Sequence, residues 1–267
     1  MERLPQRLLE KPWGRRGIAP RFSAPADARI GEIWFEPPPG RSLDVLAKYL
    51  FTSERLSIQV HPDEATARSR GLAHGKDECW IILDAEPGAA IGIGTKEPMT
   101  PDALLEAARD GSIEASIDWR PAAVGQFIYN KAGTVHALGA GLTVLEVQQS
   151  VDVTYRLYDY GRPRPLHLAE CRAVVVPGPH HHPADAMIDR GISHILVDGP
   201  FFGAAWCSGT APELPSHARD VQLLPIDAQV TLGSEALAEG HCALIGEDAA
   251  MLRSAGSFVL AWSRGDV

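Results

Sequence analysis

The sequence lacks any run of about 18 apolar residues, the length that a membrane-spanning helix requires. It also lacks a C-x-x-C pair, and its charged N-terminal stretch "MERLPQRLLEKPWG" has no apolar core of a secretory signal. The cysteines are widely separated, at Cys79, Cys171, Cys207 and Cys242. We therefore expect a soluble cytoplasmic protein without a membrane partner, in which reduced thiols serve packing.

A cationic stripe is absent as well. The formal net charge is −9 and the lysines and arginines are scattered, which argues against a nucleic-acid partner. The chain has no G-x-x-x-x-G-K-[ST], no G-x-G-x-x-G between a strand and a helix, and no G-x-S-x-G. These absences disfavour nucleotide-dependent and serine-hydrolase chemistry, and they leave room for a small anionic substrate held by a few cations.

Glycine and proline are frequent and divide the sequence into short segments. The 25 Gly and 21 Pro separate short runs rich in β-branched, aliphatic and aromatic residues, a pattern that predicts an all-β fold. The predicted strands cover 31–36, 56–61, 78–83, 89–94, 125–130, 134–138, 142–150, 153–159, 192–198, 201–207, 221–226, 242–246 and 257–262.

Two segments depart from this rhythm. Thr100 as N-cap, Pro101 at the first helical position and Gly111 at the end predict a short helical insertion over about 100–111. The stretch 42–56 suggests a helix or helical turn, although its apolar residues suit a strand nearly as well.

A proline-rich passage near 162–185 divides the chain. We predict a metal-binding β domain over 1–162 and a second, reduced β domain over 163–267, each a sandwich or jelly roll.

Polar residues stand where strands enter the predicted core. Gln59 and His61 are two apart in "LSIQVHPDE" and so share one face of a strand, while Glu78 and His136 begin two other strands. Two imidazoles, one carboxylate and an amide oxygen suit Zn²⁺ or another divalent first-row ion. The same residues would also serve an iron oxygenase, and each histidine alone is more often an ordinary core or surface residue, so this pattern leaves metal and reaction open.

Several longer stretches resemble a known family. "LSIQVHPDE", "GKDECWIILDAEPGA", "AGTVHALGAG" and "EVQQSVDVTYRLYDYGR" are similar, in order and context, to motifs of type I mannose-6-phosphate isomerase, as are "KPWGRR" and "IGEIWFE". The resemblance runs from about Lys11 to Arg162. It implies a double-stranded β-helix (cupin) fold with one zinc ion on the four residues named above.

The resemblance also implies a reaction, the interconversion of mannose 6-phosphate and fructose 6-phosphate through a cis-enediol. It places Arg156, Glu146 and Lys76 in the active site, with Arg156 and Lys76 as cations for the substrate. Ser57 shares a strand face with Gln59, so its hydroxyl is expected to face the cavity or to make a cross-strand hydrogen bond. Glu146, Lys76, a histidine and a metal-bound water all remain candidates for moving the proton.

Two departures leave alternatives open. Leu138 stands where many relatives carry an aromatic residue, and the part after about Pro163 resembles the family only faintly. The chain is therefore interpreted as a mannose-6-phosphate isomerase, with an isomerase of another sugar or sugar phosphate, or a sugar-phosphate-binding cupin without turnover, as alternatives. Its oligomeric state is not predicted.

Overall fold

The computed structural model describes residues 1–18, 22–246 and 248–265. The strands before residue 162 are β1 (Glu2–Arg3), β2 (Gln6–Arg15), β3 (Ile30–Phe35), β4 (Val45–Phe51), β5 (Ile58–Val60), β6 (Glu78–Ala85), β7 (Ala90–Thr95), β8 (Ile117–Pro121), β9 (Gln126–Asn130), β10 (His136–Leu138), β11 (Leu142–Gln149) and β12 (Tyr155–Tyr158). Those after it are β13 (Ala186–Met187), β14 (His194–Asp198), β15 (Phe202–Ser208), β16 (Ala218–Pro225), β17 (Val230–Leu232), β18 (Glu235–Leu237), β19 (Ala243–Ile245), β20 (Arg253–Ser254) and β21 (Ser257–Arg264). The helices are α1 (Glu64–Ser69), α2 (Pro101–Asp110), α3 (Ile113–Ser116), α4 (Leu168–Val174) and a 3₁₀ helix (Ala249–Met251).

The described residues form four sheets that stack in layers, which confirms the predicted all-β class. The front sheet has the strand order β12-β5-β10-β7-β8, and the middle sheet has the order β13-β9-β6-β11-β4-β3-β2. Behind them lie the rear sheet, β1-β19-β16-β21-β15-β14, and the small end sheet, β18-β17-β20. Separate apolar clusters fill the space between front and middle sheets, between middle and rear sheets, and between rear and end sheets.

Strand alternation decides which residues enter the site. On β5, Ile58 and Val60 pack beneath the helices that cover the front sheet, so Gln59 between them points the other way, toward the middle sheet. On β6, Cys79 and Ile81 pack against the rear sheet, so Glu78 and Trp80 face the front sheet. The space between front and middle sheets therefore receives polar residues from both walls.

The predicted helix over 42–56 is wrong, because this segment contains strand β4. β4 pairs with β3 on one edge and with β11 on the other, so it lies inside the middle sheet. Val45, Ala47, Tyr49 and Phe51 belong to the cluster behind the middle sheet, while Leu50 belongs to the cluster in front of it. A strand buried on both faces gives a nearly continuous apolar run, which periodicity alone does not distinguish from a helix.

The helical insertion is present as α2. The Thr100 hydroxyl accepts a hydrogen bond from the Ala103 backbone N–H at 3.1 Å, and Gly111 ends the helix with a left-handed φ of 84°. Helices α1 and α4 were not predicted. α1 begins where the Asp63 carboxylate accepts from the Thr66 N–H at 2.7 Å.

The domain boundary near residue 162 stays a prediction. Strands from both sides of it share the apolar cluster between the middle and rear sheets, and β1 near the N-terminus pairs with β19 in the rear sheet. Among the described residues, no helix is long and apolar enough to cross a membrane.

Candidate active site

Three potential metal ligands converge between the front and middle sheets. Potential ligand atoms of His61, Glu78 and His136 all lie within 4.8 Å of one another, and each residue is only 1% exposed. His61 follows β5 and His136 opens β10, both in the front sheet, while Glu78 opens β6 in the middle sheet. One carboxylate thus faces two imidazoles across the gap between the sheets.

The atoms are arranged as a divalent cation requires. Glu78 Oε2 lies 3.4 Å from His61 Nε2, and Glu78 Oε1 lies 3.5 Å from His136 Nε2. His136 Nδ1 is 2.9 Å from the Thr134 carbonyl, which leaves Nε2 turned toward Glu78. Among the described residues, His136 Nε2 has no hydrogen-bond partner although this atom is buried. Two imidazole nitrogens that face one carboxylate in this way fit a divalent metal ion.

Both histidines are held in the neutral form that binds a metal. Burial, and then the adjacent Lys76 cation, lower the pKa of His61 to about 3, and burial also lowers the pKa of His136. Burial would raise the pKa of Glu78, but Lys76 and His61 lower it well below its usual value, so the carboxylate is ionised. No ligand would therefore have to lose a proton at neutral pH.

Gln59 lies beside this cluster. In the front sheet it is the register partner of His136 on one side and of Arg156 on the other. Its side chain lines the same cavity as Glu78. All four predicted ligands thus meet at one place, and ligation by Gln59 itself stays a prediction.

A cavity of about 80 Å³ opens beside the ligands, and a recess of about 250 Å³ adjoins it through shared lining residues. The predicted site residues that line the cavity are Ser57, Gln59, Lys76, Glu78, Glu146 and Arg156. The two histidines lie behind this lining. Leu138, the departure noted in the sequence, lines the cavity as well.

Lys76 reaches the ligand cluster directly. Its Nζ lies 3.1 Å from Glu78 Oε2 and 3.1 Å from His61 Nε2, and the residue is 5% exposed. A buried ammonium at this position places a proton donor and a positive charge next to the metal ligands.

Glu146 sits in the middle sheet between two partners. Its carboxylate accepts a hydrogen bond from the Trp80 indole N–H at 3.0 Å and lies 2.8 Å from Lys48 Nζ. Trp80 and Lys48 are its register partners on β6 and β4. Burial, and then the negative charge of Glu78, raise the pKa of Glu146 above its usual value. This carboxylate therefore holds a proton more strongly than an exposed one does.

Lys48, Glu32 and Lys11 continue the charged row and were missed from the sequence. Glu32 lies 3.5 Å from Lys48 Nζ and 3.1 Å from Lys11 Nζ, and all three residues line the cavity. Lys48 was hidden by the helical interpretation of 42–56. Read as a strand, "VLAKYLF" places a lone lysine on the face opposite Tyr49, a signal that would have found it.

Burial alone would lower the pKa of Lys48, but Glu146 and Glu32 raise it above its usual value. Lys48 is thus a permanent cation beside the cavity.

Arg156 reaches the cavity from β12 in the front sheet. Its Nη1 donates to the Pro165 carbonyl at 2.9 Å, and its backbone N–H donates to His167 Nδ1 at 3.0 Å. Arg156 Nε is buried and has no partner among the described residues. Ser57 is 4% exposed and lines the cavity. Together with Lys76, the site therefore places Lys48 and Arg156 as cations and Ser57 as a hydroxyl around a shared space.

Known proteins resemble this chain in sequence and in fold. No protein-family model matches the chain. The chain is 34% identical over 207 residues to the mannose-6-phosphate isomerase of Streptococcus mutans, a match that covers 72% of this chain and 64% of that protein. It is 36% identical over 207 residues to mannose-6-phosphate isomerase ManA of Bacillus subtilis, covering 68% and 63% respectively. The matches thus span just under two thirds of the length of these relatives.

Solved structures resemble the whole chain. The crystal structure of the mannose 6-phosphate isomerase from Bacillus subtilis superposes with a TM-score of 0.78 at 25% identity, covering 97% of this chain and 98% of that one. A K132A mutant of phosphomannose isomerase from Salmonella typhimurium superposes with a TM-score of 0.73 at 14% identity, a likeness of fold alone.

Proposed function

Since this chain belongs to the mannose-6-phosphate isomerase family, we propose that it interconverts mannose 6-phosphate and fructose 6-phosphate through a cis-enediol. The reaction moves a proton between two neighbouring carbons of the sugar. It needs a group that takes and returns the proton, charges that stabilise an enediolate, and cations for the phosphate.

One observation carries the proposal. Predicted ligands and residues predicted to act on the substrate gather around one space: Gln59, Glu78, Glu146 and Arg156 line it from β5, β6, β11 and β12 in two different sheets, and His61 and His136 lie directly behind them. A cluster of this kind has no evident packing role, because buried charged groups cost free energy unless they are paired or bind a ligand.

We propose zinc as the bound metal, held by His61, Glu78, His136 and Gln59. When bound, a zinc ion supplies Lewis acidity toward the sugar oxygens. The neutral imidazoles, the ionised carboxylate and the buried His136 Nε2 without a hydrogen-bond partner support this assignment.

Glu146 is our choice for the group that moves the proton. Its raised pKa makes its carboxylate a stronger base than an exposed glutamate, and the Trp80 indole and Lys48 hold it in a fixed position. Lys76 donates hydrogen bonds to the sugar oxygens that lie close to the metal ligands. Lys48 and Arg156 provide the positive charge that stabilises the enediolate. Ser57 is assigned a hydrogen bond to the substrate.

A second candidate, an isomerase of another sugar or sugar phosphate, is favoured by Leu138. This side chain lines the cavity together with Trp13, Leu50 and Leu56, so this wall is apolar. An apolar wall binds sugar hydroxyls less well than a polar one, because hydroxyls lose hydrogen bonds to water there.

The proposal includes a cytoplasmic location, where sugar phosphates are made. The four free, buried cysteines agree with a reducing compartment.

A coupled assay on metal-analysed protein tests the proposal. Fructose 6-phosphate formation from mannose 6-phosphate is followed before chelation, after chelation, and after zinc is restored. Zinc-dependent turnover that is lost in His136→Ala supports it, and mass spectrometry of the purified variant reports the loss of bound metal independently of activity.

Turnover of other sugars, without turnover of mannose 6-phosphate, would favour the second candidate. Binding of sugar phosphate by fully metallated protein without any turnover would contradict both and identify a binding protein.

A further inference from the structure

A short segment after β12, Asp159–Pro165, borders the cavity, and we call it the arginine turn. Tyr160 has a φ of 53° and Gly161 a φ of 78°, so two successive residues adopt the left-handed conformation. For tyrosine this conformation is sterically costly, and it persists only where surrounding contacts hold it. Pro163 and Pro165 stand on either side of Arg164 and restrict the backbone there.

Asp159 fixes the side chains of this turn. It is 2% exposed and pairs with Arg164 through two bonds of 2.6 Å, from Nε to Oδ2 and from Nη2 to Oδ1. Its Oδ1 also lies 2.8 Å from Arg162 Nη2. One buried carboxylate therefore orients two guanidinium groups. With Arg156 nearby, Asp159 lies beside three guanidinium groups, and Arg162 has a second acidic neighbour in Glu54, so positive charge remains in excess.

The two arginines that Asp159 holds, Arg162 and Arg164, have different surroundings. Arg162 points away from the cavity, since its Nη2 donates to the Arg55 carbonyl at 2.8 Å and its Nη1 lies 3.7 Å from Glu54. Arg164 lines the cavity together with Arg156. Its pairing with Asp159 uses Nε and Nη2, so Nη1 stays without a partner among the described residues.

Arg156 and Arg164 are close enough to affect each other. Burial, and then the positive charge of Arg164, lower the pKa of Arg156. Two like charges held side by side at a cavity, with Arg156 Nε buried and unpartnered, form a site for an anion with two or more oxygens. An anion there would relieve the repulsion and occupy the free donors.

We propose that Arg164, oriented by Asp159, binds the phosphate group of the substrate beside Arg156 and so selects phosphorylated over neutral sugars. The inference rests on the proposed function for the identity of the substrate. The binding of a phosphate anion follows from the arginine turn alone and is tested without turnover.

The test compares Arg164→Gln and Arg164→Lys with the matched control Arg162→Gln, which removes the other guanidinium held by Asp159. Zinc-loaded proteins are titrated with inorganic phosphate by calorimetry, and kcat and KM are measured for mannose 6-phosphate. We expect Arg164→Gln to weaken phosphate binding and to raise KM by about 10- to 100-fold, since one charge-assisted contact is lost, with kcat changed by less than about threefold. Arg164→Lys should restore part of the affinity, and Arg162→Gln should retain it.

The outcomes separate the two proposals. Unchanged phosphate affinity in Arg164→Gln overturns the inference, and so does an equal loss in Arg162→Gln, because the turn would then serve only as structural support. Wild-type protein that binds phosphate through Arg164 without isomerising mannose 6-phosphate leaves the inference standing and refutes the proposed function.

Discussion

Replacing Glu32 by glutamine should cost the protein about 3 kcal/mol of unfolding free energy at neutral pH. Glu32 is 7% exposed and lies between Lys48 and Lys11, at 3.5 and 3.1 Å, and its Oε2 accepts from the Trp34 indole N–H at 2.5 Å. Glutamine keeps the shape and the hydrogen bond to Trp34, but it leaves both ammonium groups without this counter-charge.

The magnitude follows from the pKa of Glu32. Burial alone would raise this pKa, but Lys48 and Lys11 lower it from 4.5 to about 2. At about 1.4 kcal/mol for each pKa unit, ionised Glu32 stabilises the folded state by about 3 kcal/mol. Because the folded pKa is the lower one, this stabilisation is complete above about pH 4.5 and is lost as the pH falls toward 2.

Urea unfolding at about pH 7, 4 and 3 measures the effect. The difference between wild type and Glu32→Gln should be largest at pH 7 and should narrow at lower pH. Glu36→Gln is the control, since Glu36 pairs with Arg7 at 3.2 Å on the surface and should contribute less than about 1 kcal/mol. A Glu32→Gln variant that unfolds within about 1 kcal/mol of wild type at pH 7 would refute the reasoning.

Two further substitutions probe the metal ligands and the rear sheet. Asn130→Leu should weaken zinc affinity by about 10- to 100-fold in a chelator competition, because Asn130 Nδ2 donates to Glu78 Oε1 at 2.8 Å and orients that ligand; affinity equal to wild type would exclude this role. Gly203→Ala should lower the unfolding free energy by about 1 to 3 kcal/mol in urea, since a Cβ at Gly203 would lie 2.1 Å from the Trp262 ring, and unchanged stability would mean that the ring moves aside freely.

The sequence predicted the front-sheet part of the site well and the middle-sheet part less completely. Alternation along "LSIQVH" placed Gln59 and His61 on one face, and β5 has that geometry because its other face packs under helices. Glu146 and Lys76 came from the family resemblance, and both line the cavity.

The rest depended on pairing between distant strands. Lys48 faces Glu146 only because β4 lies beside β11, about a hundred residues later in the chain, and a local pattern carries no such information. Glu32 and Lys11 join the same row through β3 and β2. The role of a polar residue inside an apolar strand depends on the residue that lies beside it on the neighbouring strand.

The middle sheet bears the catalytic candidates on one face and rests with its other face on the rear sheet. Cys79, Leu145 and Val147 on that hidden face each stand next to a polar cavity residue in the chain, so their side chains set the height and tilt of Glu78 and Glu146. The effect of a substitution on activity should therefore not depend simply on how far the substituted residue lies from the cavity. A conservative substitution in the apolar cluster between the middle and rear sheets would shift the backbone of the site residues and so change activity. Larger substitutions in the end sheet, two layers away, would leave activity unchanged. Directed evolution of a new sugar preference has its least obvious targets in that apolar cluster.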